Sequence, residues 1–219
     1  MRESADNRLL LHLVTDRSLS LGRSLVEVVA EAVAGGVTCV QLREKTCSTR
    51  EFLGEALALK ALLQPLGLPL IINDRVDIAL AVGADGVHLG QSDMPISHAR
   101  RLLGPDYLIG ISAESVEDAI AAEQQGADYI GISPVFSTPT KTDTASALGL
   151  EGVRQIRELV RVPLVGIGGI NQANAHQVLA AGADGVAVVS AIMAAESPQL
   201  AAEAIRVSWG NRPGGRRRF

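Results

Sequence analysis

The sequence predicts a single (β/α)8 barrel, a TIM barrel with eight parallel strands. Short β-branched segments alternate strictly with longer segments rich in Ala, Leu and Glu, and this alternation is typical of a parallel sheet covered by helices. The 219 residues divide into eight such units of about 25 residues, which leaves no second domain. An open doubly wound sheet is the competing arrangement, and the number of units favours the closed barrel.

Eight strands and eight helices are predicted in alternation. The strand segments are rich in Val, Ile and Leu, as buried parallel strands are, and cover residues 9–15, 38–43, 69–73, 86–89, 107–112, 129–133, 163–167 and 185–189. The helices cover roughly residues 23–34, 49–64, 76–82, 95–103, 115–125, 150–161, 171–181 and 191–207. The barrel then occupies residues 9–207, between a flexible N-terminus of residues 1–8 and a basic tail of residues 208–219 that we expect to be disordered.

A Gly-Ala-Asp pattern recurs before three of the predicted strands, at residues 83–85, 126–128 and 182–184. Glycine adopts the left-handed conformation that ends a helix, so each copy predicts a turn from a helix into the next strand. These turns lie at the N-terminal end of the barrel, and we expect their aspartates to be structural. The opposite end, where the strands finish, is where barrel enzymes carry their chemistry.

Composition and charge exclude several classes of function. The net charge of −4 argues against a nucleic-acid-binding surface. The chain has no apolar run of about 18 residues, so no membrane span is expected, and the polar first residues lack a signal core. Cys39 and Cys47 have no metal-ligand spacing. We expect a cytoplasmic protein that binds phosphorylated small molecules. The sequence does not decide whether it forms a homo-oligomer.

Charged and polar residues follow the second to fifth strands. Arg43 and Lys45 come directly after an apolar strand. A guanidinium fork beside an ammonium suits a diphosphate, although a solvated run of charges is the alternative. The same strand ends carry Gln41, Leu42, Glu44, Asn73 and Ser112.

Asp74 and Asp93 follow two successive strands. Two carboxylates at neighbouring strand ends can share a hard cation, and Mg²⁺ is often bound by one or two carboxylates together with substrate phosphate. Each aspartate can instead cap a helix, which is a common role for this residue. The sequence leaves both interpretations open.

Glycines and hydroxyls follow the last three strands. Loops after strands 7 and 8 usually bind phosphate in this fold, and Gly168, Gly169 and Ser190 lie there, although a simple tight turn is the alternative. The loop after strand 6 is the longest strand-to-helix connection and carries Thr138, Thr140 and Lys141. It is a candidate lid over the site, with simple disorder as the alternative.

The histidines indicate less. His12 lies inside a predicted strand and is expected to face the barrel interior, whereas His88 lies near the end of strand 4 and could line a site. No Ser-His-Asp or Cys-His arrangement is visible, so acyl transfer has little support.

These same segments resemble the thiamine phosphate synthase family. The ordered set of seven motifs is specific, although each alone is weak, and it runs from about residue 9 to residue 194. The motifs are Gln-Leu-Arg-Glu-Lys (41–45), Ile-Asn-Asp-Arg (72–75), Gly-Val-His-Leu-Gly-Gln-Ser-Asp (86–93), Gly-Ile-Ser (110–112), Ser-Thr-Pro-Thr-Lys (137–141), Gly-Ile-Gly-Gly-Ile (166–170) and Val-Val-Ser (188–190). His12 stands where the family is expected to have an aromatic residue, and the Arg-rich tail lies outside the resemblance.

The resemblance implies a transferase that joins 4-amino-2-methyl-5-(diphosphooxymethyl)pyrimidine to a thiazole phosphate and releases diphosphate, with CO₂ when the thiazole is carboxylated. It implies that Asp74 and Asp93 bind Mg²⁺ and that Arg43, Lys45, Ser112 and Lys141 take part in catalysis. The pyrimidine diphosphate would be bound by Gln41, Leu42, Arg43, Glu44, Lys45, Asn73, Ser112 and Lys141. The thiazole phosphate would be bound by Thr138, Pro139, Thr140, Gly168, Gly169, Val189 and Ser190.

Two other functions remain to be weighed. A thiazole tautomerase shares the predicted fold, but it is an isomerase and has no diphosphate to ionise. A non-catalytic sensor of phosphorylated ligands would not need two metal-binding carboxylates. The presence of Arg43, Lys45, Asp74, Asp93 and Lys141 together favours the synthase.

Overall fold

The computed structural model describes residues 7–137 and 147–209. Within these ranges, eight parallel strands close into a barrel in sequence order. His12 of the first strand is in register with Cys39 of the second and with Ala187 of the eighth, which closes the sheet. The predicted (β/α)8 barrel is therefore confirmed.

The strands are short, and each predicted strand contains one of them or coincides with it, apart from a one-residue extension of the fifth. They are β1 (Leu11–Val14), β2 (Cys39–Leu42), β3 (Leu70–Asn73), β4 (Gly86–Leu89), β5 (Leu108–Ala113), β6 (Tyr129–Ile132), β7 (Leu164–Ile167) and β8 (Gly185–Val188).

Helices separate the strands on the outside of the barrel. They are α1 (Leu25–Ala34), α2 (Thr49–Leu63), α3 (Val76–Val82), α4 (Ile96–Leu103), α5 (Val116–Gln124), α6 (Gly149–Leu159), α7 (Ala175–Ala180), α8 (Ser190–Met193) and α9 (Pro198–Val207). Short 3₁₀ helices cover Asn7–Leu9, Arg17–Leu19 and Gln64–Leu66.

The prediction of one final helix over residues 191–207 is wrong. Helix α8 ends at Met193, and α9 begins at Pro198 after a new N-cap. The Ser197 hydroxyl accepts a hydrogen bond from the backbone N–H of Leu200, and Pro198 occupies the first turn, where its missing N–H costs no helical hydrogen bond.

Apolar side chains form two separate cores because neighbouring residues of a strand face opposite ways. The larger core lies between strands and helices, and from β1 it takes Leu11 and Leu13. The smaller core lies inside the barrel and includes Val14 from the same strand. The inner core also contains Leu9, Tyr129, Val165 and Ala187. It lies within the ring of strands.

The Gly-Ala-Asp turns lie where the sequence predicts them, at the N-terminal end of the barrel. Gly83, Gly126 and Gly182 have positive φ. Asp85, which follows the first of these turns, accepts a hydrogen bond from the first residue of β3. No helix in the described part of the chain is long and apolar enough to span a membrane.

Candidate active site

A cavity of about 600 Å³ opens at the C-terminal ends of the strands. The predicted site residues that line it come from six strand ends: Gln41, Arg43, Lys45, Asn73, Asp74, Asp93, Ser112, Gly168, Gly169, Val189 and Ser190. Gln41 and Asn73 lie almost buried at the ends of β2 and β3. The barrel closure thus brings together residues that are up to about 150 positions apart along the sequence.

One side of the cavity carries fixed cations. The backbone N–H of Arg43 donates to the Thr15 hydroxyl at 3.0 Å, which holds the exit of β2 against the end of β1. The Arg43 guanidinium lies 3.9 Å from the Asp16 carboxylate, and the Lys45 ammonium lies 2.5 Å from Asp74. A guanidinium and an ammonium therefore lie on the same wall of the cavity, an arrangement that suits an anionic ligand.

The two predicted metal ligands lie against each other on that wall. Burial is the largest cause that raises the pKa of Asp93, and the neighbouring Asp74 carboxylate raises it further. The Asp93 carboxylate is held by the backbone N–H of Gly90 at 2.7 Å. Asp74 has a positive φ of 61°, which is uncommon outside glycine and turns its side chain away from the direction of β3.

Neither aspartate caps a helix. The N-cap residue of α3 is Arg75 and that of α4 is Pro95, and neither helix start has a side-chain capping hydrogen bond. The two carboxylates instead face each other and Lys45, an arrangement suited to a hard cation. In the described residues, no group of three or more His, Cys, Asp and Glu side chains could hold a metal ion, so any ion here would also need oxygens from a ligand or from water.

The other side of the cavity is a glycine turn. Gly168 and Gly169 both have positive φ, 102° and 63°. A Cβ on Gly168 would lie 2.7 Å from the Cβ of Pro134, so a side chain there would collide with the loop after β6. The Asn174 amide donates to the carbonyl of Gly169 at 2.9 Å and braces the turn from α7.

Buried polar side chains also line the cavity. The His88 ring contacts the Tyr129 hydroxyl through Nδ1 at 3.0 Å and the Ser112 hydroxyl through Nε2 at 2.9 Å. His12 faces the barrel interior as predicted, with its ring centroid 5.7 Å from that of Tyr129. Burial, with a smaller effect of His88, lowers the pKa of His12 to about 3, so this ring is neutral.

Some predicted site residues are not brought to the cavity. The Leu42 side chain packs in the outer core, and Glu44 accepts a hydrogen bond from Arg17 at 3.0 Å. Thr138, Pro139, Thr140 and Lys141 lie outside the described residues, and so does most of the Arg-rich tail.

Two residues at the site, Tyr129 and Asn174, escaped the sequence-based prediction, and a third, Gln91, belonged to a recognised motif but was assigned no role. Tyr129 reads as an ordinary strand residue, and Asn174 as part of a helix start. The Gln91 side-chain amide donates to the carbonyl of Ser112 at 2.6 Å, which ties the loop after β4 to the end of β5. The alternation of β6 gives the one available signal, because it places Tyr129 on the inner face of the barrel.

The fold and the rim together define a class of protein: a (β/α)8 barrel with a polar ligand cavity at the C-terminal ends of its strands. A family model described as "Thiamine monophosphate synthase" matches residues 11–192. The chain belongs to the thiamine monophosphate synthase family.

Individual relatives agree with this membership. The thiamine-phosphate synthase of Albidiferax ferrireducens is 61% identical over 196 residues, which cover 90% of each chain. The thiamine-phosphate synthase of Chloroflexus aurantiacus is 55% identical over a stretch with the same coverage. The solved structure of thiamine phosphate pyrophosphorylase from Pyrococcus furiosus superposes with a TM-score of 0.86 at 45% identity, covering 93% of this chain and 96% of that one.

Proposed function

We propose that this protein is a Mg²⁺-dependent thiamine phosphate synthase. It joins 4-amino-2-methyl-5-(diphosphooxymethyl)pyrimidine to a thiazole phosphate and releases diphosphate, with CO₂ when the thiazole is carboxylated. The observation that carries the proposal is the cavity wall where Arg43, Lys45 and two facing carboxylates meet, in a chain that is 61% identical over 196 residues to a thiamine-phosphate synthase.

The two sides of the cavity suit two different ligands. The cationic wall of Arg43 and Lys45 suits a diphosphate, because a bidentate guanidinium and an ammonium can pair with several phosphate oxygens. The glycine turn at Gly168 and Gly169 suits a monophosphate, because backbone N–H groups can approach a phosphate where no side chain intervenes. Val189 and Ser190 line the same side, and the proposal assigns Thr138, Pro139 and Thr140 to it as well.

The carboxylate pair fits a magnesium ion. Asp74 and Asp93 would supply oxygen ligands. Burial and then the neighbouring Asp74 carboxylate raise the pKa of Asp93, and a bound divalent cation would stabilise the ionised pair. Bound there, Mg²⁺ would neutralise charge on the diphosphate and so assist its departure. Two carboxylates leave several coordination positions for diphosphate oxygens and water, as Mg²⁺ prefers.

The protein's own groups would then act by position and charge. Departure of diphosphate builds negative charge on the leaving oxygens. Arg43 and Lys45 line the cavity and can stabilise this charge. The proposal assigns the same role to Lys141. The electron-rich aminopyrimidine can carry the positive charge left on its methylene carbon. The thiazole nitrogen then bonds to that carbon, so no protein nucleophile is needed.

This route through a pyrimidine cation has its own test. Electron-withdrawing groups on the pyrimidine destabilise the cation and should slow single-turnover product formation. Unchanged rates across such a series would rule the route out while leaving the overall reaction standing.

The two alternatives are weaker. A thiazole tautomerase needs no diphosphate-binding wall, and a sensor of phosphorylated ligands needs no carboxylate pair. The names of the relatives at 61% and 55% identity support the synthase over both.

The test of the proposal mixes the pyrimidine diphosphate with the thiazole phosphate and follows thiamine phosphate by chromatography. We expect product with Mg²⁺ and none when EDTA removes the metal. If the protein makes no thiamine phosphate with Mg²⁺ present, the proposed function is wrong. Product formation that EDTA leaves unchanged would reject the metal dependence alone.

A further inference from the structure

We propose that Tyr129 and His88 form a positioning relay that fixes the direction of the Ser112 hydrogen bond. In this relay, Ser112 presents its hydroxyl proton to the cavity and donates to an acceptor atom of the bound ligand. The inference rests on the proposed function for the nature of that ligand, an aminopyrimidine, whose ring nitrogens are hydrogen-bond acceptors. Neither Tyr129 nor His88 has a role in the assignments above.

The three side chains form a continuous line from the barrel interior to the cavity. Tyr129 is 1% exposed and contacts His88 Nδ1 at 3.0 Å. The opposite ring nitrogen of His88 contacts the Ser112 hydroxyl at 2.9 Å. All three side chains line the cavity, and Ser112, which is half-buried and more exposed than the two rings, lies at the open end of this line.

The direction of the hydrogen bonds follows from the proton of Tyr129. Burial raises the pKa of Tyr129 well above its usual value, so the phenol keeps its proton at neutral pH. A buried O–H that donates to no acceptor costs roughly 1–3 kcal/mol, and the ring nitrogen at bonding distance from this hydroxyl is His88 Nδ1, which accepts when it carries no proton. Tyr129 therefore donates to Nδ1.

That first bond sets the second. A neutral imidazole that accepts at Nδ1 carries its proton on Nε2, so His88 donates to the Ser112 oxygen. Ser112 then has its own proton left to donate into the cavity. In the opposite tautomer, Ser112 would donate its proton to His88 and could only accept a hydrogen bond from the ligand.

Two inward-facing glycines hold the rings in this line. A Cβ on Gly110 of β5 would lie 2.1 Å from Cζ of Tyr129, and a Cβ on Gly131 of β6 would lie 2.9 Å from Cε1 of His88. The absence of a side chain at these two positions of β5 and β6 leaves room for the two rings. Because the His12 ring also contacts Tyr129 edge-on, the rings are closely packed and their hydrogen-bond geometry is fixed.

The kinetic test removes only the Tyr129 hydroxyl. We expect Tyr129→Phe to lower kcat/KM for the pyrimidine diphosphate about tenfold, the loss of one neutral hydrogen bond, and to leave KM for the thiazole phosphate unchanged. The matched control is Tyr107→Phe at the other tyrosine of the chain, outside the cavity lining, which should behave as wild type. A rise in KM for the thiazole phosphate as large as that for the pyrimidine diphosphate would indicate general loosening of the barrel and overturn the relay.

The spectroscopic test reads the tautomer directly and does not need turnover. In protein labelled with ¹⁵N-histidine, His88 can be assigned among the four histidines by its disappearance in His88→Gln. We expect the wild-type ring to carry its proton on Nε2 and Tyr129→Phe to lose this preference. A wild-type ring protonated on Nδ1 would overturn the proposal.

The two arms separate this inference from the proposed function. If wild-type protein makes no thiamine phosphate, the proposed function fails, and the wild-type tautomer still decides the relay. If wild-type protein is active but Tyr129→Phe retains full kcat/KM, the relay fails and the function stands. Should Tyr129→Phe not fold, the wild-type tautomer again decides.

Discussion

The aspartates at the two ends of the barrel differ in what surrounds them. At the N-terminal end, Asp128 pairs with Arg100 at 2.5 Å and accepts the backbone N–H of Ile109 at 2.7 Å. Asp184 does the same with Arg157 and Leu164, at 3.0 and 2.9 Å. At the C-terminal end, Asp74 and Asp93 face each other, and Lys45 is the cation beside them.

The difference distinguishes aspartates that stabilise the fold from aspartates that are proposed to bind a cation. Each N-terminal aspartate bonds both to the backbone of a strand start and to a cation from a neighbouring helix, so its charge is balanced within the protein. At the rim, burial and then the neighbouring Asp74 carboxylate raise the pKa of Asp93, so Lys45 balances the charge of the carboxylate pair only in part. A charge imbalance of this kind in a cavity is typical of a functional site. Substitutions at the rim should therefore lower turnover more than stability, whereas substitutions at the N-terminal end should lower stability more than turnover.

The largest effect is expected for Asp93→Ala on turnover. Removing one of two carboxylates should weaken Mg²⁺ binding and lower kcat by about 1000-fold, because metal stabilisation of a leaving group contributes several kcal/mol. The measurement is steady-state formation of thiamine phosphate at saturating Mg²⁺, with circular dichroism to show that the fold is kept. Near-normal turnover would remove Asp93 from the metal site.

The next effect is expected for Lys45→Met. The Lys45 side chain is 51% exposed, and exposed ion pairs contribute only about 0–1 kcal/mol to stability, so the thermal midpoint should hardly change. Turnover should fall about 100-fold, because a cation that pairs with the developing charge is lost. Enzyme assays and thermal unfolding of the same samples check both parts. A large loss of stability with modest loss of turnover would place Lys45 with the structural ion pairs.

The reverse pattern is expected for Asp128→Ala at the other end. It leaves Nη2 of Arg100 and the N–H of Ile109 without their acceptor, so the free energy of unfolding should fall by about 2 kcal/mol. Urea denaturation measures this loss. The kcat of the folded fraction should match wild type, and a specific loss of kcat would mean that the two ends are not separable.

The smallest effect is a gain of stability in Asp93→Asn without metal. The folded-state pKa of Asp93 is raised above its ordinary value of 3.8, so ionisation of Asp93 destabilises the folded protein as pH rises through that folded pKa. In EDTA at neutral pH, Asp93→Asn should therefore unfold at a higher temperature than wild type, and the gain should vanish below about pH 3.8. Thermal melts across pH check this, and a variant that melts below wild type at neutral pH would contradict it.

The strand pattern was predictable because it depends on local sequence. Parallel strands buried on both faces are apolar runs, and the Gly-Ala-Asp turns mark where three of them begin. The final helix was not resolved into α8 and α9, although Ser197 and Pro198 form a recognisable helix start. Because the residues on both sides are rich in Ala, the sequence was interpreted as one continuous helix.

The site was predictable in part for a different reason. Strand ends of a barrel meet at one rim, so Arg43, Asp74 and Asp93 could be grouped from the order of elements alone. The contact between Tyr129 and His88 could not, because it depends on how β4, β5 and β6 are staggered. That stagger is set by barrel closure, a property of the whole sheet.

We propose that the rim aspartates bind a divalent cation and that the N-terminal aspartates do not. Titration with Mn²⁺ in the presence of inorganic diphosphate, followed by electron paramagnetic resonance, tests it directly. Asp85→Asn provides the control, since Asp85 pairs with Lys60 at 3.0 Å at the N-terminal end of the same barrel. We predict one bound Mn²⁺ per chain in wild type and in Asp85→Asn, and none at the same concentrations in Asp93→Asn. Equal Mn²⁺ binding by Asp93→Asn and wild type would contradict the claim.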